Sequence, residues 1–424
     1  MRAPPHFKRC IAASIAPWKT MNSPVYKWVA KTVCVSAVTA VQVALCGAAA
    51  AQVVEEFDFA AQADFIFLPV AVRGQTFRFI VDTGSTRSIF NGRLRHLLGE
   101  PRGTARVATV AGIEEIEQFE APATKLGKLE ISYDRGQVYC QDFGDAFRCP
   151  AKPIDGVLGI DALKAFVVSI DFDEGKLQVL DSVGPEAGER VPLIWHKQRG
   201  FLEGPFALAT LAGHSHREFL IDTGAHSRNS GGVEARFFDW LSDNGDLDWL
   251  GHTGISSLSK TASVQQGRVK SIAVGGFEYR GAAFDRMKKN SLGLGFLCRF
   301  KVTFDFPNSV MYLRKGANFG RQDIYNLSGL HLVRRSGETI VHSVDSGSAG
   351  SAADLRQHDV LLAIDETKAS DLSMFDLRRR LCRQGICRLS VRRGQSELRI
   401  DLRLDDKPAP NAEQAEKDAD RGRQ

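Results

Sequence analysis

The stretch Phe79-Ile-Val-Asp-Thr-Gly-Ser85 decides the interpretation of this chain, because a second copy follows as Phe219-Leu-Ile-Asp-Thr-Gly-Ala225. In each copy three apolar residues end a predicted strand and deliver an aspartate into a tight turn. The glycine of the turn allows backbone angles that a side chain disfavours, and the threonine can hold the turn by hydrogen bonds. Two copies of one uncommon sequence indicate a single site built from both.

The two aspartates of these copies, Asp82 and Asp222, suggest general acid and base chemistry. A carboxylate at the end of an apolar strand is costly to bury unless it is paired. If the copies face each other, one carboxyl stays protonated while the other remains a base, and the proton belongs to the pair. Such a pair can activate a water molecule against a peptide carbonyl. This chemistry requires no metal and no other cofactor.

A longer repeat surrounds the two motifs. Asp155-Gly-Val-Leu-Gly159 follows the first and Ser291-Leu-Gly293 follows the second, and similar strands come later as Val168-Ser-Ile-Asp-Phe172 and Val302-Thr-Phe-Asp-Phe306. The chain therefore resembles the retropepsin-like aspartic proteases, with both lobes in one polypeptide.

The resemblance implies that Asp82 and Asp222 are the catalytic residues. It also implies that the two motif threonines brace the active-site loops against each other. By resemblance, the residues that support these loops are Thr83, Gly84, Ser85, Thr223, Gly224 and Ala225.

The second copy departs from the family pattern. We expect Asn229 to stand where the first copy has the apolar Ile89, and Ser291 replaces another apolar residue. The second lobe is then looser, or it supports a site that no longer cleaves. Ala225 also lacks the hydroxyl of Ser85. Loss of a donor to the carboxylate raises the lower pKa of the pair, which predicts activity toward mild acidity or neutrality.

The predicted fold class is mainly β, with two retropepsin-like lobes in tandem about a pseudo-two-fold axis and a small α+β PDZ domain. Phe65–Val81 and Phe206–Ile221 alternate with period two, as half-buried strands do. We place lobe one at residues 57–181 and lobe two at 191–315, joined by a linker. Candidate flap hairpins, which would close over substrate, lie at 108–113 and, less clearly, at 256–261.

Residues 324–404 resemble a PDZ domain, with Leu327-Ser-Gly-Leu330 in the place of the carboxylate-binding loop. PDZ domains add a peptide strand to a sheet edge and hold its C-terminal carboxylate at backbone N–H groups. The alternative is a packing module that binds nothing. The resemblance assigns carboxylate capture to Ser328, Gly329 and Leu330.

Residues 1–52 carry six Lys or Arg and no acidic residue, and an apolar run at 32–50 follows Lys27 and Lys31. This pattern predicts a signal peptide with an alanine-rich cleavage region. An uncleaved N-terminal membrane anchor is the alternative, because about 20 apolar residues span a bilayer. Either interpretation predicts an exported protein, periplasmic or anchored facing the periplasm. Residues 405–424 are charged and poor in apolar side chains, which predicts a disordered tail.

The formal charge of +5 comes from that N-terminal segment, since 55 − 6 leaves 49 basic against 50 acidic residues. A nearly neutral remainder gives no electrostatic reason to expect nucleic acid as a partner.

The cysteines give no zinc-site spacing, so we expect no metal. A disulfide between Cys140 and Cys149 would pin a loop that lobe two lacks, and Cys382 could pair with Cys387 in the same way. Cys298 would then remain as a buried thiol.

The leading hypothesis is an exported aspartic endopeptidase whose Asp82/Asp222 dyad activates water, with a PDZ module that binds substrate or partner C-termini. The alternative is a catalytically inactive exported peptide-binding protein that retains the cleft. A third arrangement pairs the motifs of two chains, but two tethered lobes make a monomer the simpler expectation. The expected partners are a protein or peptide substrate and a C-terminal peptide ligand.

Overall fold

The protein is described from a computed structural model. The residues that it describes are 51–60, 64–109, 112–144, 147, 153–198, 201–214, 216–225, 229–256 and 261–405. The predicted signal or anchor, apart from residues 51 and 52, and the predicted tail after residue 405 lie outside these ranges. Within them, no helix has the length and apolar character needed to cross a membrane.

The described chain is mainly β. Up to residue 180 the strands are β1 (Val53–Asp58), β2 (Phe67–Val72), β3 (Gln75–Val81), β4 (Ile89–Asn91), β5 (Gly103–Thr109), β6 (Gly112–Glu120), β7 (Thr124–Leu126), β8 (Leu129–Glu130), β9 (Gln137–Gln141), β10 (Gly156–Leu158), β11 (Val167–Asp171) and β12 (Lys176–Leu180). The next strands are β13 (Glu189–Pro192), β14 (Ile194–Gln198), β15 (Phe201–Leu211), β16 (Arg217–Ile221), β17 (Gly231–Glu234), β18 (Leu247–Ser256), β19 (Thr261–Val269), β20 (Ser271–Val274), β21 (Phe277–Arg280), β22 (Ala283–Met287), β23 (Ser291–Leu292), β24 (Phe300–Asp305) and β25 (Val310–Lys315).

The last strands are β26 (Leu330–Arg335), β27 (Glu338–Val344), β28 (Val360–Ile364), β29 (Thr367–Lys368), β30 (Gly385–Arg393) and β31 (Ser396–Leu404). The α-helices are short: α1 (Ile160–Leu163), α2 (Ala235–Asp243), α3 (Leu294–Leu297), α4 (Ala349–Ala352) and α5 (Met374–Arg380). Short stretches of 3-10 helix lie at Gly92–Leu97, Asp134–Gly136 and Ala369–Asp371.

Two large sheets repeat the same strand order. The first sheet runs β5-β6-β9-β4-β10-β3-β2-β7-β8, and the second runs β18-β19-β22-β17-β23-β16-β15-β20-β21, with β14 added on β15. Each contains one parallel pair that matters for the motifs, β3 with β10 and β16 with β23. The duplication seen in the sequence motifs therefore extends over nine strands in each sheet.

A six-stranded central sheet joins the two halves in the order β1-β12-β11-β24-β25-β13. At its centre β11 runs antiparallel to β24, with Ser169 opposite Thr303. The hydroxyl of Thr303 donates a hydrogen bond to that of Ser169 over 3.2 Å. Because these two residues occupy matching places in the repeat, the pairing is symmetric about them. The sheet also takes in residues 53–56 and 189–190, which lie outside the predicted lobe boundaries.

The predicted equivalence of Ile89 with Asn229 is wrong. In the first sheet Ile89 pairs with Val157, whereas in the second Gly232 pairs with Ser291. Ile89 lies seven residues after its motif aspartate and Gly232 lies ten after its own, so the second turn holds three more residues. A one-to-one count from the motif misses such an insertion, while the strand register reveals it.

The C-terminal module, residues 324–404, has its own sheet in the order β26-β27-β28-β30-β31, with β29 on β28. Helix α5 begins with a capping box: the N–H of Asp376 donates to the Ser373 hydroxyl over 3.0 Å, and the Asp376 carboxylate accepts from the N–H of Ser373 over 3.2 Å. A separate buried core fills the space between the sheet and the helices, and it includes Leu332, Val341 and Leu377.

Helix α5 also packs on the first half of the chain. The ring of Phe375 lies 4.7 Å from that of Phe65 and 5.2 Å from that of Phe147, measured between centroids. One turn further on, Arg379 forms an ion pair of 2.6 Å with the buried Asp64. The C-terminal module is therefore joined to the first half by an aromatic cluster and a charged contact.

The predicted disulfides are absent at the cysteines that the structure describes. Cys140 is a buried free thiol, and its predicted partner Cys149 lies outside the described residues. Cys387 is also a buried free thiol, so its predicted bond to Cys382 is wrong. Cys387 belongs to the core of the C-terminal module, whereas the thiol of Cys382 donates to the carbonyl of Arg378. The expectation for Cys298, a buried free thiol, is confirmed.

Candidate active site

Each motif aspartate follows directly on a buried strand that runs parallel to a partner strand. The N–H of Asp82 donates to the carbonyl of Leu158 over 2.9 Å, and the N–H of Asp222 donates to that of Leu292 over 2.9 Å. Leu158 and Leu292 end the paired strands β10 and β23. Strands β10 and β23, which come from the later segment of each repeat, thus hold the backbone of the two aspartates in place.

The two motif threonines join the turns to each other. The N–H of Thr83 donates to the hydroxyl of Thr223 over 3.0 Å, and the N–H of Thr223 donates to that of Thr83 over 3.1 Å. The hydroxyl of Thr83 donates to the carbonyl of Ile221 over 2.6 Å, and that of Thr223 donates to the carbonyl of Val81 over 2.9 Å. Both threonines are buried, so these bonds are shielded from competing water.

The turns bring the aspartate of one motif against the glycine of the other. A Cβ atom at Gly84 would lie 2.5 Å from Cγ of Asp222, and one at Gly224 would lie 2.1 Å from Cγ of Asp82. No side chain can occupy either place without moving a carboxyl group. The glycines are therefore required by this close approach, as well as by the turn.

Backbone N–H groups hold the carboxylates. The N–H of Ser85 donates to Oδ1 of Asp82 over 2.9 Å. In the second turn the N–H groups of Gly224 and Ala225 donate to Oδ1 of Asp222 over 2.9 and 3.0 Å. Both aspartates are surrounded by protein yet keep partial solvent exposure, so water can reach the pair.

The two carboxyl groups share a hydrogen bond and titrate together. Burial raises the pKa of Asp82 well above its usual range, and the negative charge of Asp222 raises it further. Burial also raises the pKa of Asp222, but the N–H groups of Gly224 and Ala225 oppose this rise. The singly protonated pair is favoured because two adjacent buried charges repel each other. In this state the two carboxyls share one proton.

The predicted effect of Ala225 rested on a wrong premise. The hydroxyl of Ser85 donates to the carbonyl of Arg87 over 2.7 Å, away from the carboxylate. The bond to the carboxylate comes from the backbone N–H at this position, and Ala225 supplies it as well as Ser85 does. The absence of a hydroxyl at Ala225 therefore removes no donor from the pair.

A buried aspartate that sequence reasoning missed supports the first turn. The hydroxyl of Ser88 donates to Oδ1 of Asp161 over 2.8 Å and accepts from the N–H of Gly159 over 3.0 Å. Burial raises the pKa of Asp161 to about 6, while Ser88 and Arg87 act to lower it. A charged residue two places after Gly159, inside an otherwise apolar stretch, was the available sequence signal.

The candidate flaps lie at the tips of equivalent hairpins, β5–β6 and β18–β19. Residues 110–111 and 257–260, which connect these strands in the sequence, lie outside the described residues. Ile113, next to the first tip, exposes 60% of its surface. An apolar side chain at such a place is available to contact a ligand.

The predicted carboxylate loop of the C-terminal module uses its N–H groups internally. The N–H of Ser328 donates to Oδ1 of Asn326 over 3.1 Å, and the N–H of Leu330 donates to the Ser328 hydroxyl over 3.0 Å. Gly329 has the left-handed φ of 65° that favours glycine. Two of the three assigned residues therefore have occupied donors in this state.

The groove between β26 and helix α5 is lined partly by the second sheet. Thr253 and Gly254 of strand β18 face Leu332 and Arg378 across a small cavity. The guanidinium of Arg378 donates to the carbonyl of Leu332 over 3.4 Å. The edge that a bound peptide strand would need is thus covered here by β18 and Arg378.

Among the described residues, no group of three or more His, Cys, Asp or Glu is arranged to hold a metal ion. The carboxylates of the dyad accept from backbone N–H groups and from each other. Their arrangement suits proton transfer to and from a water molecule and a carbonyl oxygen.

Comparison with known families agrees with this geometry. Residues 68–162 match a family model described as aspartyl protease, over a stretch that contains Asp82 and the segment 155–159. The match supports an aspartic protease. It covers 95 of the 424 residues and ends before the second Asp-Thr-Gly motif. A search of curated proteins returned no match.

Proposed function

We propose that the protein is an aspartic endopeptidase that hydrolyses peptide bonds with a water molecule activated by Asp82 and Asp222. The observation that carries the proposal is the hydrogen-bonded pair of carboxyls with raised pKa values, contributed by two sheets of the same topology. The family match over the first of these sheets supports the same reaction class. Both carboxyls belong to one chain, so a monomer suffices.

In the proposed mechanism Asp82 starts protonated and Asp222 starts as the carboxylate. Asp222, the carboxylate, takes a proton from the water as its oxygen attacks the scissile carbonyl carbon. Asp82 gives its proton to the carbonyl oxygen, and a tetrahedral gem-diol forms. When the C–N bond breaks, the proton held by Asp222 passes to the leaving nitrogen, and Asp82 recovers its proton from a gem-diol hydroxyl. Water is consumed, and the pair returns to its starting state.

The alternative, a peptide-binding protein without activity, rested on departures in the second copy. Neither departure disturbs the pair. Gly232 rather than Asn229 is the counterpart of Ile89, and the Ser291 hydroxyl accepts from the N–H of Gly232 over 3.2 Å. The second turn holds its aspartate by the same backbone bonds as the first. We therefore favour an active enzyme.

For residues 324–404 we propose a PDZ-like module that takes C-terminal peptides. Its support is the sheet edge at β26 next to helix α5, with Gly329 before it. A peptide that entered this groove would have to displace Thr253 and Gly254. Ligand binding would thus move hairpin β18–β19, the candidate flap of the second half. We further propose export to the periplasm, directed by a signal or anchor within residues 1–52.

The test is cleavage of a mixed library of unstructured peptides by the protein that lacks residues 1–52, from pH 3 to 9. We expect cleavage by the wild type and none by either Asp82→Asn or Asp222→Asn. If the folded wild type binds library peptides but cuts none at any pH, the protease proposal fails. A second library with amidated C-termini tests the module, since loss of the carboxylate should weaken binding there.

A further inference from the structure

The second active-site turn takes its buried carboxylate from outside the duplicated sheets. In the first half Ser88 donates to Asp161, which lies two residues after Gly159. The matching place after Gly293 is Gly295, which has no side chain to offer. Instead, the hydroxyl of Ser230 donates to Oδ2 of Asp323 over 2.7 Å. Asp323 belongs to the segment that connects β25 to the C-terminal module.

Asp323 is held firmly in this place. Its Oδ2 also accepts from the N–H of Ala283 over 2.7 Å, and its Oδ1 lies 2.6 Å from the guanidinium of Arg299. The side chains of Asp323 and Arg299 are both fully buried. Arg299 also donates to the carbonyls of Gly295 and Arg321. A buried ion pair with this many hydrogen bonds fixes a geometry, because any displacement leaves a charge unpaired.

The contacts of Ser230 lead from Asp323 to the catalytic residue. The carbonyl of Ser230 accepts from the N–H of Gly293 over 2.8 Å. The preceding residue, Leu292, accepts the backbone N–H of Asp222 over 2.9 Å. A shift of Ser230 would therefore shift the strand end against which Asp222 is set.

We propose that Asp323 is a positioning residue for Asp222, acting through Ser230. The inference rests on the proposed function, since the position of Asp222 is what it controls. It makes the connector to the C-terminal module a structural part of the second half of the active site. The carboxylate that Asp161 supplies locally in the first half thus comes from the connector in the second.

The first test is Ser230→Ala in the full chain, which removes one hydrogen bond and leaves the Asp323–Arg299 pair in place. We expect kcat to fall roughly three- to tenfold with KM unchanged, as loss of one hydrogen bond implies. The pH profile of kcat should also shift, because Asp222 loses its fixed place beside Asp82. Asp323→Asn should shift the profile in the same direction.

Val191→Ala is the control, because Val191 is buried in the central sheet, pairs with Met311 and is not one of the hydrogen-bonding residues of this network. If Val191→Ala reproduces the kcat and pH changes at an equal loss of Tm, or if Ser230→Ala leaves both unchanged, the proposal is overturned.

Hydrogen exchange at the amides of Asp222 and Gly293 is a second readout that needs no activity. Faster exchange in Ser230→Ala supports the positioning of Asp222 through Ser230, even if no peptide is cut. This readout therefore separates failure of this inference from failure of the proposed function. Unchanged exchange at both amides contradicts it.

Discussion

Thr83 and Thr223 each accept the backbone N–H of the other, over 3.0 and 3.1 Å, and each donates its hydroxyl to a carbonyl of the opposite strand. Two buried hydrogen bonds therefore join two residues that are 140 apart in the sequence, and two more tie each residue to the opposite strand. Because they are reciprocal, neither active-site turn can move without the other.

Replacement of these hydroxyls should weaken both stability and activity. We expect Thr223→Ala to lower the free energy of unfolding by about 1–3 kcal/mol, since it leaves the buried N–H of Thr83 without an acceptor. Thr223→Ser keeps the hydroxyl and serves as the matched control. Denaturant unfolding and peptide cleavage measure the two effects. Equal stability of the alanine and serine variants would show that the bonds contribute nothing.

Each dyad carboxyl should be essential, and the activity should depend on the shared proton. Asp82→Asn and Asp222→Asn should each lower kcat by roughly 10²- to 10⁴-fold, the usual contribution of a general acid or base. Since the pKa of Asp82 is raised, kcat of the wild type should fall only as pH rises through that raised value. Exposed Asp371→Asn is the control. If kcat instead falls as the pH rises through about 4, the ordinary pKa of a carboxyl, this protonation scheme is contradicted.

Asp161 should make the folded state less stable as pH rises. Its pKa is about 6 in the folded protein and about 3.9 in an unfolded chain, so the folded state holds the proton more tightly. The free energy of unfolding therefore falls by roughly 3 kcal/mol in total as the pH rises from about 4 to about 6. Asp161→Asn can still accept from Ser88 and should remove this loss. Unfolding at pH 4 and pH 7.5 measures the difference, and identical changes in both proteins would refute it.

The contact of Phe375 with Phe65 and Phe147 should fix the C-terminal module on the first half. We expect Phe375→Ala to cost about 3 kcal/mol or more and to speed hydrogen exchange in helix α5 and near Phe65. Val391→Ala, in the separate core of the module, is the control. It should destabilise the module without changing exchange near Phe65, and equal exchange there in both variants would contradict a coupling through Phe375.

The structure brings the two motif turns together, but the details that depend on register did not follow from the sequence. Asn229 was matched to Ile89 by counting from the aspartate, and three inserted residues made that count fail. The hydroxyl of Ser85 was assigned to the carboxylate, whereas it bonds to the carbonyl of Arg87. Short local patterns do not encode which of several nearby acceptors a rotating hydroxyl selects.

The sequence by itself determined the two Asp-Thr-Gly turns, their strands and the mainly β character, because these depend on local alternation and turn chemistry. Only the tertiary structure decided that Asp323 replaces the carboxylate missing at Gly295, and that Thr253 and Gly254 lie in the groove of the C-terminal module. Asp323 lies 93 residues from Ser230. Contacts over such distances depend on how the sheets pack as a whole, so no single stretch of sequence specifies them.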